Sequence, residues 1–229
     1  LVIFAVGLTI VLIAALFLWG KRQVEAPGSD DLTTPFVVTG DSVTIAPLLV
    51  SVDEITTGYS ITGSYPQFPQ ADEAFNARIA QQFDDALAEF KSIVTADMSA
   101  RIAGGASVDI PSSVYTYTLD TQTIQSNDQF ISAIIRIHGY SGGAHGYQNI
   151  VTLNYDVQAG KEVTLQDLGY TYPEVSEAAR ADLERQFRGR GIWDESIKDM
   201  MYGGTEPSAD WFSTFTFTSD ALTLYFGEY

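Results

Sequence analysis

The chain has 229 residues, with 12 Lys and Arg against 29 Asp and Glu, a net charge of −17 and no cysteine. That length supports a full hydrophobic core, and the missing thiols exclude disulfides, thiolate metal sites, cysteine nucleophiles and a lipid-modified cysteine. All 29 acids follow Lys21 and Arg22, so the part beyond residue 22 will not bind nucleic acid or anionic lipid by charge. The same charge draws cationic partners or serves solubility alone.

Leu1–Trp19 carries no charged side chain and as a helix would span roughly 28 Å, about the thickness of a bilayer core. No polar face interrupts it, which argues against a buried core helix. Trp19, Lys21 and Arg22 follow where an interfacial aromatic and headgroup-binding cations belong. A cleaved signal peptide is the rival, but Val24-Glu25-Ala26 before Pro27 is a poor cleavage site. Residues 1–20 are predicted to be an uncleaved transmembrane anchor, residues 21–35 a polar linker, and residues 36–229 an α+β domain with halves at 36–105 and 106–229. The chain opens on Leu1 rather than Met, so an upstream segment is expected. Charge alone leaves the orientation of the anchor open.

Ser42–Val52 and Gly58–Phe68 read as strands, the second stopped by Tyr65-Pro66-Gln67-Phe68-Pro69. Ala71–Ala100 is predicted as a helix. Phe75, Ile79, Phe83, Leu87, Phe90 and Val94 recur at steps of three and four and form one core stripe. Asp72 and Glu73 suit its first turn, and Gly104-Gly105 suits its end. Val114–Asp120, Phe130–His138 and Ile150–Val157 alternate apolar and polar residues, as half-buried antiparallel strands do. Thr171 to Glu174 resembles a capping box opening a helix to about Arg188, with Val175, Ala179, Leu183 and Phe187 as its buried stripe. Trp211–Phe217 and Leu222–Phe226 close the chain as a hairpin. Helices and strands come in separate groups, which predicts helices packed on an antiparallel sheet.

One segment has a distinctive chemical signature, the loop Gly139–Tyr147. Gly139-Tyr140-Ser141-Gly142-Gly143 fits the nucleophile-elbow pattern, but that pattern needs a helix directly after it. A strand follows here, and the last histidine, His145, lies in the same loop, so a hydrolase triad is rejected. The chain has only two histidines, His138 and His145, with no helical pair of ligands, and no metal or cofactor is expected. Adjacent acids such as Asp84-Asp85 and Asp194-Glu195 do not face each other and form no acid–base dyad. Arg180, Arg185, Arg188, Arg190 and Lys198 are interleaved with acids, as on a salt-bridged helix face. The four glycines of the loop permit unusual backbone conformations and close approach. Tyr140 and Tyr147 flank them as candidate contact aromatics. A binding surface and a tight structural connection fit these residues equally, and His145 can serve either by tying the loop backbone together. The candidate partner-binding residues are Tyr140, Gly142, Gly143, His145 and Tyr147.

Ser141-Gly142-Gly143-Ala144-His145, then Asn154 to Lys161, then Leu165-Gln166-Asp167-Leu168 resemble the pattern of RsiV-like extracytoplasmic domains. The same module is similar to the non-catalytic region of PdaC-like peptidoglycan deacetylases. Tyr65-Pro66-Gln67-Phe68 with Asn76 and Ile79 resembles its first half, and Phe215 to Thr218 with Leu222 to Tyr229 its closing hairpin. Gly169-Tyr170 stands where the pattern has Phe, and the chain ends at Tyr229 inside the last motif, so a further strand is expected. The resemblance implies a membrane-tethered domain outside the cell that binds lysozyme or another cationic wall-active protein, or peptidoglycan itself. It recognises rather than transforms. The alternative is a wall-directed hydrolase or deacetylase-associated module using His145 with carboxylates.

Overall fold

The computed structural model describes residues 8–12, 44–105 and 114–226, which fall into two compact units, chiefly Ser42–Glu162 and Val163–Tyr225. Most of the expected membrane anchor at residues 1–20, all of the linker at 21–35 and the last three residues lie outside them. Leu8–Leu12 is a short strand, β1, placed beside the C-terminal hairpin. No described helix is long and apolar enough to cross a membrane.

The first unit is a sheet covered on one face by a single long helix. The strands are β2 (Leu48–Ser51), β3 (Glu54–Ile55), β4 (Tyr59–Gln67), β5 (Tyr115–Ser126), β6 (Phe130–Tyr140), β7 (Tyr147–Asp156) and β8 (Lys161–Glu162), and the helix is α1 (Glu73–Ala103). The order is β2-β4-β5-β6-β7-β8, with β3 also on β4. The chain is α+β and mostly antiparallel, with one departure from expectation. β4 and β5 pair in parallel, from Tyr59↔Tyr115 to Gly63↔Leu119. Because α1 lies between them in the chain, the path returns to the same end of the sheet before β5 begins, and a helical crossover of this kind joins parallel neighbours. The strand expected at Ser42–Val52 shortens to β2, and the one expected at Val114–Asp120 runs on to Ser126 through an irregularity between Thr123 and Gln125.

The predicted helical stripe is the core. Phe75, Ile79, Phe83, Phe90 and Val94 are buried, with Leu87 packed beside them at partial exposure. Its phenylalanines meet sheet tyrosines in turn. Phe75 stacks on Tyr155 at 4.1 Å, Phe83 on Tyr65 at 5.3 Å, and Phe90 lies between Tyr59 at 6.1 Å and Tyr117 at 5.2 Å. Such aromatic pairs contribute beyond the area they bury. Two hydroxyls at the rim of this ladder then bind carboxylates of the helix. Tyr155 donates to Asp72, which also caps α1 by accepting from Phe75 N–H at 2.7 Å. Tyr115 donates to Asp97 near the other end. Between them Tyr59 donates to Glu54, whose second oxygen holds Lys91 of α1 at 2.6 Å. The entry to the helix is fixed by Asn76, which accepts from Phe68 N–H at 2.8 Å and donates to the Phe68 carbonyl at 2.9 Å. A side-chain amide thus completes a strand end that has run out of partners.

The second unit holds α2 (Tyr172–Gly189), α3 (Glu195–Gly203) and the hairpin β9 (Phe215–Phe217) with β10 (Leu222–Phe226). The capping box is present. Glu174 accepts from Thr171 N–H at 3.1 Å and Thr171 Oγ1 at 2.7 Å. Val175, Ala179, Leu183 and Phe187 are buried as the stripe predicted. Arg180 turns from α2 onto the exit of α3, donating to Thr205 Oγ1 at 2.9 Å and to the Thr205 carbonyl at 3.0 Å, with its guanidinium over the Tyr202 ring. The neighbouring basic side chains follow the expected interleaving, with Arg185 on Asp182 and Arg188 on Glu184. The first strand of the hairpin is shorter than expected and begins at Phe215 rather than Trp211.

These contacts make stability depend on pH in two windows. The hydrogen bonds from Tyr155, Tyr115 and Lys91 hold the carboxyls of Asp72, Asp97 and Glu54 below their ordinary values of 3.8, 3.8 and 4.5. The unfolded chain therefore takes up protons first, so this contribution is complete above the ordinary carboxylate values and is lost as pH falls through the lowered ones. Burial and the Asp72 carboxylate push Tyr155 up from 10.0 to about 12, and its contribution is complete below 10.0 and lost as pH rises toward about 12. Melting followed by circular dichroism is expected to be flat between these windows and to fall in both, with Tyr155→Phe weakening the alkaline fall. Phe83→Ala is expected to cost about 3–5 kcal/mol in urea unfolding.

Candidate recognition site

The glycine-rich loop is shorter than its sequence suggests. β6 continues to Tyr140 and β7 resumes at Tyr147, leaving Ser141–Gly146 as the connection. The pairing Gly139↔Tyr147 closes its base. Gly139 has the Tyr147 ring over it, where an added Cβ would come within 2.3 Å of the ring. An aromatic laid across a strand glycine restores the packing that the missing side chain leaves out.

Inside the loop, Gly142 and Gly143 take φ of +110° and +97°, a region that side-chain-bearing residues avoid. Gly142 also lies so close to α1 that an added Cβ would meet Asp97 Oδ2 at 3.1 Å. Asp97 is the junction of this end of the unit. It accepts from Tyr115 and from Arg101 Nε at 2.7 Å, and the Arg101 guanidinium lies over the Tyr115 ring. Tyr140 stacks on Tyr115 at 6.3 Å and donates its hydroxyl to the Gly143 carbonyl at 2.8 Å. His145 Nδ1 lies 2.8 Å from the Gly146 carbonyl. A carbonyl only accepts, so Nδ1 carries the hydrogen. His145 thus bonds to its own loop backbone and not, among the described residues, to a carboxylate. All five residues expected to make contacts take part in building the loop or its base, and Gly143, His145 and Tyr147 are also exposed.

The remaining motif residues shape turns. Asp156 accepts from the Gln158 and Ala159 N–H groups at 3.0 and 2.8 Å, and Gly160, at φ +65°, donates to the Asp156 carbonyl at 2.9 Å. Asp167 accepts from Thr164 N–H at 2.8 Å and Thr164 Oγ1 at 2.6 Å. Asn154 accepts from buried Ser132 at 2.8 Å.

Beside the loop, on the sheet face away from α1, lies an open depression of about 420 Å³. Thr116, Thr118, His138 and Gln148 line it, together with Tyr140 and Tyr147 at the loop ends. It falls within the size range of small-molecule sites, roughly 300–1,000 Å³. In the sequence, Thr116, Thr118, His138 and Gln148 are ordinary polar strand positions with no motif among them. The available signal was strand alternation. Tyr115, Tyr117 and Leu119 are buried against α1, so Thr116 and Thr118 point the other way. Among the described residues, no three His, Asp or Glu side chains are grouped to hold a metal ion.

Residues 53–148 match the family model described as deacetylase PdaC. The match lies inside the first unit and covers α1, β3 to β6 and the glycine loop, so this unit is PdaC-like over that span. Among solved structures, a member of the DUF3298 family from Bacteroides fragilis is 13% identical with a TM-score of 0.42, covering 70% of this chain and 75% of that one. No curated protein matches.

The loop geometry separates conformation from contact. Gly143→Ala meets open space and carries only the backbone penalty, about 1–2 kcal/mol. Gly142→Ala adds the encounter with Asp97 and is expected to cost more, up to about 3 kcal/mol. Urea unfolding of the two variants checks the order, and equal costs would contradict the close approach to α1.

Proposed function

We propose that the chain is an extracytoplasmic recognition module of the cell envelope, directed at the wall. The observation that carries this reading is the PdaC-like match over residues 53–148, together with the solvent-facing polar depression inside that span. The match supports a wall-associated setting. The site supports binding over turnover, because the Tyr140 hydroxyl and His145 Nδ1 bond to the loop's own backbone. The alternative of a wall-directed enzyme needs His145 joined to a carboxylate, and its Nδ1 bonds to the Gly146 carbonyl instead.

The charge favours a second partner class, a cationic wall-active protein such as lysozyme. The net charge is −17. On α1 the cations Arg78, Lys91 and Arg101 are paired with Glu162, Glu54 and Asp97. Glu73, Asp84, Asp85 and Glu89 are exposed and have no cation against them among the described residues. Such a face accelerates encounter with a basic surface and loses its pull in salt.

Sedimentation of the full chain in detergent with purified peptidoglycan sacculi is the test. Co-sedimentation that survives high salt and chelator is expected for wall recognition. Capture of lysozyme that falls steeply with salt and weakens in Asp84→Asn/Asp85→Asn/Glu89→Gln is expected for the cationic partner. A chain that stays in the supernatant under all these conditions, or that turns over a wall fragment, contradicts the proposal.

A further inference from the structure

The two edges of the first unit's sheet are finished differently. β8 closes one edge with two charged residues, Lys161 and Glu162, and Arg78 binds Glu162 at 2.8 Å. Short charged edge strands of this kind resist pairing with another chain. β2 closes the other edge with Leu48-Leu49-Val50-Ser51. All four residues are exposed, Leu48 by 65% and Leu49 by 60%. The strand is held at both ends. Before it, Ile45 N–H donates to the Ser126 carbonyl at 2.8 Å. After it, Asp53 accepts from Gly63 N–H at 2.9 Å and from Ser51 Oγ at 2.8 Å. Val52 N–H donates to the Gly63 carbonyl, and Thr56 N–H to the Tyr59 carbonyl. Backbone groups alternate sides along an antiparallel strand. Leu48 and Val50 therefore bond to β4, whereas Leu49 and Ser51 turn their N–H and C=O outward. Among the described residues no strand lies beyond β2 to meet them.

No charged residue occurs from Ser42 to Val52. Of the acids that follow, Asp53 is bound to Gly63 and Ser51, and Glu54 is neutralised by Lys91 at 2.6 Å. Asp84 of α1 stands close enough for its charge to push the Tyr65 hydroxyl up. The edge itself offers nothing to select a charged strand, but it matches a second copy of itself. Antiparallel strands exchange bonds between outward-facing residues, and pairing Leu49 with Ser51 around a two-fold axis at Val50 uses both of them in each copy. A register centred on Leu49 would bring in Pro47, which has no N–H. One centred on Ser51 would bring in Asp53, whose N–H already donates to Ser51 Oγ at 3.3 Å. The favoured register sets Val50 against Val50 and Leu48 against Val52. It does so on the side where Tyr65, the β4 partner of Val50, stacks on Phe83. We infer that β2 is the contact by which two copies of this chain join their sheets into one. A four-residue edge buries less than the roughly 1,200 Å² of a standard interface, so the dimer is weak and reversible. The inference does not depend on the envelope reading.

The chain has no cysteine, so single introduced thiols report the contact. Facing residues at a non-hydrogen-bonded position lie about 4.5 Å apart, within disulfide reach. Mild oxidation of the full chain in detergent is expected to crosslink Val50→Cys into a dimer at least about fivefold faster than Ile55→Cys. Random collision would give the reverse order, because Ile55 is 72% exposed and Val50 37%. Adding Leu49→Pro, which removes an outward N–H and leaves the bonds to β4 in place, should abolish the crosslink. In the unsubstituted chain, amide exchange at Leu49 and Ser51 should slow as the chain is concentrated. It should slow further in salt, which screens the repulsion between two copies of charge −17. Equal crosslinking of the two cysteine variants, none at Val50→Cys in a folded chain, or a crosslink that survives Leu49→Pro overturns the inference. So does exchange at Leu49 and Ser51 that is the same at every concentration.

Discussion

Everything in the first unit depends on how α1 is fastened to the sheet. Three phenylalanines of one helical stripe each lie against sheet tyrosines, and the tyrosine hydroxyls at the rim reach carboxylates that the helix carries or binds. The aromatic area supplies the burial. The charge-assisted bonds at Asp72, Glu54 and Asp97 fix position along the helix axis, because each allows one register only. A helix held at both ends and in the middle covers the inner face of the sheet, and the parallel pairing of β4 and β5 follows from its place between them.

That fastening reaches the glycine loop. Asp97 ties Tyr115 and Arg101 together, and Gly142 comes up against it because it has no side chain. The loop is therefore a piece of architecture first. Its glycines provide conformations that other residues avoid, and Tyr140 and His145 bond to the backbone around them. Asp156, Gly160 and Asp167 do the same for the turns that follow. A motif built mainly of turn-forming residues records a fold, and the chemistry facing outward has to be sought on the neighbouring strand faces.

The elements governed by local periodicity were legible in the sequence. The stripe from Phe75 to Val94, the places of β6 and β7 in the chain, and the Thr171 to Glu174 capping box all appear where their spacing puts them. The expected open polar face does not run the length of β6, because Phe130 to Ile135 are buried on both faces, Ser132 and Ile134 included, and Asn154 of β7 is buried beside them. The features that escaped depend on contacts distant in sequence. The parallel direction of β5 is decided by a crossover, the Gly142 approach to Asp97 by the packing of a loop on a helix, and the role of Asn76 by a backbone that needed a partner. The Thr118–His138–Gln148 row was hidden for another reason. Each residue alone reads as an ordinary solvent-facing strand position, and only the register across three strands turns them into a surface.

On the proposed function, α1 serves packing and charge while the opposite sheet face serves recognition. Amide chemical-shift mapping of the full chain with a soluble wall fragment tests this most directly. Perturbations centred on Thr118, His138 and Gln148, with α1 silent, are the predicted result. Perturbations centred on Asp84 to Glu89, with the three sheet residues unmoved, would contradict it.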